Sequence, residues 1–166
     1  MAIIKLETWE YEYACHIGIR RFTANWYKPD AKHYQVDERK EDDRTAQVAA
    51  AIGELAVAKL LNQYWHATIW SADKHKEYNK LPDVGKNIEV RRVRTQDAVC
   101  IRENDTGRGL IVFAVRPIEK EFREVEVFGW VKADEGFSRG IVTDWGNVFP
   151  LKDLCKDFTW FEEINI

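Results

Sequence analysis

The residues of this chain whose types and spacing could do chemistry fall in two short stretches. The first, Gly53-Glu54-Leu-Ala-Val-Ala-Lys-Leu-Leu61, holds one carboxylate among apolar neighbours; between Ala46 and Asn62 only Glu54 and Lys59 are charged. Read as a helix, Glu54 has Ala50, Ala51, Val57, Ala58 and Leu61 around it, and Ala58 at i+4 offers no helical ion pair. A carboxylate on an apolar face is costly to bury unless it meets a cation, a metal or hydrogen-bond donors. Glu54 therefore either sits at the rim of the core and reaches water, pairs with an arginine elsewhere, or serves a site. The second stretch is Pro82-Asp83-Val-Gly-Lys-Asn-Ile-Glu89-Val-Arg91. If 87–94 is a strand, Glu89, Arg91 and Val93 share one face and Ile88, Val90 and Arg92 the other. Two carboxylates converging beside a cation is how a hard divalent ion such as Mg²⁺ is held, with water and phosphate completing its shell. A turn aspartate followed by an ordinary Glu/Arg strand pair gives the same spacing.

Taken together, a helix with an inward glutamate, a strand, Pro-Asp and then Glu-x-basic on a strand resemble the PD-(D/E)XK nuclease superfamily, which includes restriction endonucleases, Holliday-junction resolvases and phage exonucleases. The resemblance covers roughly Ile52 to Val115 and resides in Gly53-Glu54, Pro82-Asp83 and Ile88-Glu89-Val-Arg91. Leu110–Val115 looks like the next core strand, and Val127-Phe-Gly-Trp-Val131 is similar to a strand that follows the core in small phage-type members. The resemblance implies a restriction-endonuclease-like core and a metal-dependent nuclease acting on DNA. It implies that Asp83, Glu89 and the Val90 carbonyl hold one or two Mg²⁺ (or Mn²⁺) ions. It also implies that Glu54 adds a metal contact or orients a metal-bound water.

Arg91 stands where the family has lysine. Arginine does not give up its proton in proteins, so it cannot be a general base, but it can neutralise charge building on a phosphate. Lys86 could instead swing in to act as the lysine. Arg92, Arg94 and Lys86 are the candidate nucleic-acid contacts. Arg92 and Arg94 point away from Glu89 in a regular strand, and the other reading has them line the opposite surface.

The elements that must position these groups are legible in outline. Thr8 as N-cap and Tyr11, Ala14, Cys15, Gly18, Ile19 and Phe22 at helical spacing predict a helix over Thr8 to Trp26. A polar loop follows over Tyr27 to Asp43, then an Ala-rich helix from Asp43 to Gln63 with Asp42 or Asp43 as cap. Strands are expected at His66–Ser71, Asn87–Arg94, Val99–Arg102, Leu110–Val115 and Val125–Val131, with 72–82 a loop, Thr106–Gly109 a hairpin turn and Leu151–Cys155 a short helix. The continuous apolar run Leu110–Val115 should be buried on both faces. This order predicts an α/β (α+β) fold with a central mixed sheet flanked by helices. It is expected as one nuclease-like domain: an N-terminal helix and loop (1–42), a core (43–131) and a C-terminal extension (132–166).

The 166 residues carry a net charge of −3, so binding to nucleic acid would need a local basic patch, for which Arg91, Arg92, Arg94 and Arg102 are candidates. His16, His33, His66 and His75 lack the spacing that puts two imidazoles on one metal, and no G-x-S-x-G, P-loop or dinucleotide glycine pattern occurs. The three cysteines are far apart without C-x-x-C, which argues against a disulfide framework. No apolar run is long enough to span a membrane. A cytoplasmic location (the host cytoplasm if phage-encoded) and no membrane partner are expected, and cutting both strands of a duplex would favour a homodimer. Two other readings stand beside the nuclease: a degenerate nuclease fold that binds nucleic acid or protein, and an unrelated interaction domain. The latter would dock a partner through Phe158-Thr-Trp160-Phe161 and leave Glu54 and Asp83 far apart.

Overall fold

The computed structural model describes residues 1–26, 43–69, 81–94, 96–118, 120, 123–144 and 146–161. The elements are β1 (Ala2–Lys5), α1 (Thr8–Trp26), α2 (Asp43–Leu60), β2 (Ile88–Arg92), β3 (Ala98–Ile101), β4 (Ile111–Pro117), β5 (Glu124–Lys132), α3 (Ala133–Arg139), β6 (Ile141–Thr143) and β7 (Gly146–Pro150), with 3-10 turns at Glu103–Asp105, Leu151–Asp153 and Thr159–Phe161. The strands form two sheets, one ordered β1-β5-β4-β2 and one ordered β3-β7-β6. The larger sheet is mixed, with β2 parallel to β4 and the other pairs antiparallel. The fold is thus α/β in the broad sense expected, but the strands divide between two sheets. Among the described residues no helix is long and apolar enough to cross a membrane.

β4 is the hinge of the packing. Ile111, Phe113 and Val115 face the core under α1 and α2, whereas Leu110, Val112 and Ala114 face a second core made with Val99, Ile101, Phe149, Leu151 and Leu154. Both faces of the strand are covered, as its continuous apolar run predicts. β5 changes allegiance midway. Ala114 is opposite Gly129 but Val115 is opposite Val127, leaving Phe128 as an extra residue. A one-residue bulge exchanges the two faces of a strand. Val125 and Val127 accordingly enter the first core, and Val131 enters the second. Gly129 has φ +145° there, and a Cβ would come within 2.4 Å of the Cys155 carbonyl oxygen.

The two long helices run antiparallel, since Lys59 meets Glu10 at one end and the Gly18 backbone lies against Val48 at the other. Gly53 has no side chain where one would strike Val115, which lets α2 lie close on the sheet beside Glu54. Thr8 is the first helical residue rather than the cap. Its hydroxyl accepts from Arg123, and the Glu7 N–H is instead satisfied by the Glu10 carboxylate. On α1, Ile17 and Arg21 are buried and Ile19 is exposed, so the inward face is rotated from the expected stripe.

Other expectations change as well. α2 ends at Leu60, three residues short, with Asn62 in the left-handed region. In place of a strand at 66–71, Trp65 forms an isolated bridge to Val84; residues 66–69 are irregular, and 70–71 lie outside the described residues. Thr106–Gly109 is no hairpin turn, because β3 pairs with β7 and not with β4. The Leu151–Asp153 segment is a 3-10 turn rather than a helix to Cys155. Phe158 and Phe161 pack on Phe113 of the same chain, and Trp160 stacks on Trp130, so the segment expected to dock a partner covers the chain's own core. The loops expected over 27–42 and 72–80, with His33 and His75, lie outside the described residues.

Candidate functional site

Arg21 is the residue that explains Glu54. A helical side chain leans toward the N-terminus of its helix, which in this antiparallel pair is the direction of Glu54. The guanidinium donates from Nη1 to Glu54 Oε1 (2.7 Å) and from Nη2 to Oε2 (2.8 Å), while its Nε donates to the Thr68 carbonyl (2.8 Å). Trp65 Nε1 is a third donor to the carboxylate, reaching Oε2 at 2.9 Å. Arg21 and Glu54 are 1% and 4% exposed, so the pair is buried. Both Glu54 oxygens accept hydrogen bonds from protein donors, and the cation beside this carboxylate is Arg21. Burial opposes the charge on Arg21, but Glu54 outweighs it and holds the guanidinium more firmly protonated than a free one.

Asp83 lies in a tight turn that folds back on the start of β2. Its backbone N–H donates to the Ile88 carbonyl (3.0 Å), and its Oδ2 accepts the Val90 N–H at 2.8 Å. The N–H and C=O of a strand residue point to the same side. The Val90 carbonyl therefore also faces the open edge of β2, the side on which Asp83 sits. Glu89 and Arg91 stand side by side as their spacing predicts, joined from Nη1 to Oε2 at 3.1 Å. They are not an exposed surface pair, since Glu89 is 8% exposed. Arg91 Nη2 continues to Asp105 Oδ1 at 2.8 Å, and Asp105 Oδ2 accepts the Arg102 N–H at 2.9 Å. Arg91 is thus a bridge between two carboxylates, and its Nε is buried without a partner.

Burial, and then the negative charges of Glu54 and Glu89, push the Asp83 carboxyl well above the usual carboxylate range; Arg91 and the Val90 N–H oppose this without cancelling it. Burial also raises Glu89, with Asp105 and Glu54 adding to it and Arg91 and Arg108 pulling the other way. Burial disfavours the charge of Arg91, but Asp105, Glu89 and Asp83 together hold it protonated. A base at this position is excluded by the residue type itself.

These groups open onto one cavity of about 670 Å³ between α2, the end of β2 and the second sheet. Among the described residues its walls carry Arg21, Arg91, Arg92, Arg94, Arg102 and Arg108 against Glu54, Asp83, Glu89 and Asp105, an excess of two basic side chains in an acidic protein. Arg92 and Arg94 line this cavity with Glu89, although Arg92 alternates with Glu89 on β2, because β2 is the edge strand of its sheet and four successive residues of it, 89 to 92, line the cavity. The opposite-surface reading of them is corrected. Lys86 is exposed in the turn before β2 and is not among the lining residues.

Among the described residues no group of three or more His, Cys, Asp and Glu is gathered as a metal site. Two carboxylates with water and phosphate nevertheless satisfy Mg²⁺. Among the described residues no hydrogen bond is made by Asp83 Oδ1 or Glu89 Oε1. Two raised carboxyls and a backbone carbonyl are a hard-oxygen donor set that fits a divalent ion.

Sequence reasoning missed Arg21, Trp65 and Asp105. Arg21 carried a signal, since it continues the buried series Ala14, Ile17 and Gly18 as a charge on an apolar face. Asp105 carried none, as its role depends on a turn that meets β2 only in three dimensions. Comparison of the chain with protein-family models, with curated proteins and with solved structures finds no match in any of the three.

Proposed function

We propose that this chain is a metal-dependent nuclease-like protein hydrolysing DNA phosphodiester bonds on a restriction-endonuclease-like core. One observation carries the reading: Asp83, Glu89 and Arg91 share a single cavity with five further arginines. Such a cavity suits a phosphodiester backbone, because arginine forks match phosphate oxygens with two hydrogen bonds. Asp83, Glu89 and the Val90 carbonyl would hold Mg²⁺, or Mn²⁺. The ion, when bound, supplies Lewis-acid polarisation of the phosphate and an activated water.

The chain's own groups do the rest. Arg91, kept charged by Glu89 and Asp105, sets a fixed positive charge beside the phosphate. Asp83 is held in place by the Val90 N–H. Glu54 acts through Arg21 and Trp65 as a fixed buttress between α1, α2 and the loop before β2. It is a positioning residue rather than a ligand.

The test is cleavage of plasmid, linear duplex, single-stranded and branched DNA with Mg²⁺, Mn²⁺ or EDTA, with folded Asp83→Asn and Glu89→Gln proteins alongside. Metal-dependent cleavage lost in both variants is the expected result. One observation favours a second reading, that of a nucleic-acid- or protein-binding module without catalysis: Arg91 already occupies Glu89 and Asp105, and Arg21 occupies Glu54. DNA binding without cleavage under any metal would select it.

A further inference from the structure

Residues 64–66 are laid antiparallel on the loop that carries Asp83. Gly85 N–H donates to the Tyr64 carbonyl (2.8 Å), Trp65 bridges Val84, and His66 N–H donates to the Asp83 carbonyl (3.2 Å). Side chains alternate along such a segment. Trp65 turns inward, 8% exposed, with its indole N–H on Glu54. Tyr64 and His66 turn the other way and meet ring to ring, with centroids 5.2 Å apart and planes at 87°. His66 is pinned in turn. Its Nε2 lies 2.7 Å from the Gly85 carbonyl, and because a carbonyl only accepts, Nε2 carries the proton.

His66 lines the arginine-rich cavity. Tyr64, two residues or about 7 Å away along the extended chain, is 72% exposed. Tyr64 is thus a large ring in contact with a cavity-lining histidine yet left mostly to solvent, and among the described residues no further ring contact covers it.

We infer that Tyr64 is a stacking platform for an unpaired base next to the phosphate held in the cavity, so that the preferred nucleic acid is single-stranded at this point. The inference rests on the nucleic-acid reading above and adds the state of the strand. The bases of a continuous duplex are stacked on each other and present no face to a side chain, whereas an unpaired base does. The arginines take the backbone and the ring takes the base, which is how sequence-tolerant single-strand sites are built.

The test is fluorescence anisotropy in EDTA, which separates binding from cleavage, with a labelled single-stranded oligonucleotide and a blunt duplex of the same sequence. Wild-type, Tyr64→Ala and Tyr64→Phe proteins are compared. Base stacking on one aromatic corresponds to about a 5- to 150-fold change in affinity. Tyr64→Ala should weaken single-strand binding by a factor in that range, change duplex binding less than about twofold on the same scale, and be rescued by Tyr64→Phe. Single-strand binding unchanged in Tyr64→Ala overturns the platform, as does an equal loss for both nucleic acids, and either leaves the nucleic-acid reading standing. Wild-type protein that binds neither probe overturns both.

Discussion

Replacing Arg21 by methionine tests how Glu54 is held. The substitution keeps an unbranched apolar stem and removes the guanidinium. It deletes two hydrogen bonds to Glu54 and one to the Thr68 carbonyl, and leaves the carboxylate with the Trp65 indole alone. With Arg21 at 1% and Glu54 at 4% exposure, the carboxylate left behind has little contact with solvent. Breaking a buried ion pair from one side costs about 3–5 kcal/mol. For a chain of this size each kcal/mol moves the melting temperature by about 2–4 °C, so thermal unfolding followed by circular dichroism at pH 7 should fall by about 6–20 °C. Arg21→Met with Glu54→Gln leaves no buried charge, and Gln can still accept from Trp65, so the double variant should recover part of the loss. Non-additivity of that sign is what a direct pair produces. A drop in Arg21→Met of less than about 1 kcal/mol would refute the reasoning, since it would mean that Glu54 reaches water or another cation.

Other outcomes follow from the same geometry. Asp83 and Glu89 bind protons more tightly in the folded chain than in the unfolded one. Between the ordinary carboxylate range near pH 4 and their raised folded values, the folded state therefore holds more protons, and stability falls as pH rises. Without metal, Asp83→Asn should be more stable than wild type at pH 8 in urea unfolding, and the gap should close toward about pH 4; a gap independent of pH would count against a strained Asp83. Gly129→Ala places a Cβ against the Cys155 carbonyl at a residue with φ +145°. It should lose about 1–3 kcal/mol in the same assay, and an unchanged midpoint would contradict the bulge geometry.

The parts of the fold that were legible are those set by local pattern. α1 spans Thr8–Trp26 and β4 follows the apolar run because periodicity and burial agree there. The pairing of Glu89 with Arg91 followed from the two-residue strand period. What could not be read depends on distant partners. β1 is four residues long and exists because β5, some 120 residues on, offers an edge. β6 and β7 are short strands whose pairing makes a second sheet that no local pattern announces. The arginine partner of Glu54 was one of three alternatives the sequence left open, and which of 25 basic residues supplied it was a question of how α1 and α2 pack. The bulge at Phe128 shifted the β5 faces, and its one local signal was Gly129, since a lone glycine inside a strand marks a bulge or a close backbone approach.

The most direct test of the account is a calorimetric titration of Mn²⁺ into the purified protein, beside Asp83→Asn and Glu89→Gln proteins shown to be folded. Because both carboxyls are held protonated more than usual, binding should release protons and tighten as pH rises. The account predicts binding to wild type that is lost or weakened at least tenfold, about 1.4 kcal/mol or more, in each variant. Absence of Mn²⁺ binding by wild type, or binding that survives both substitutions, would contradict it.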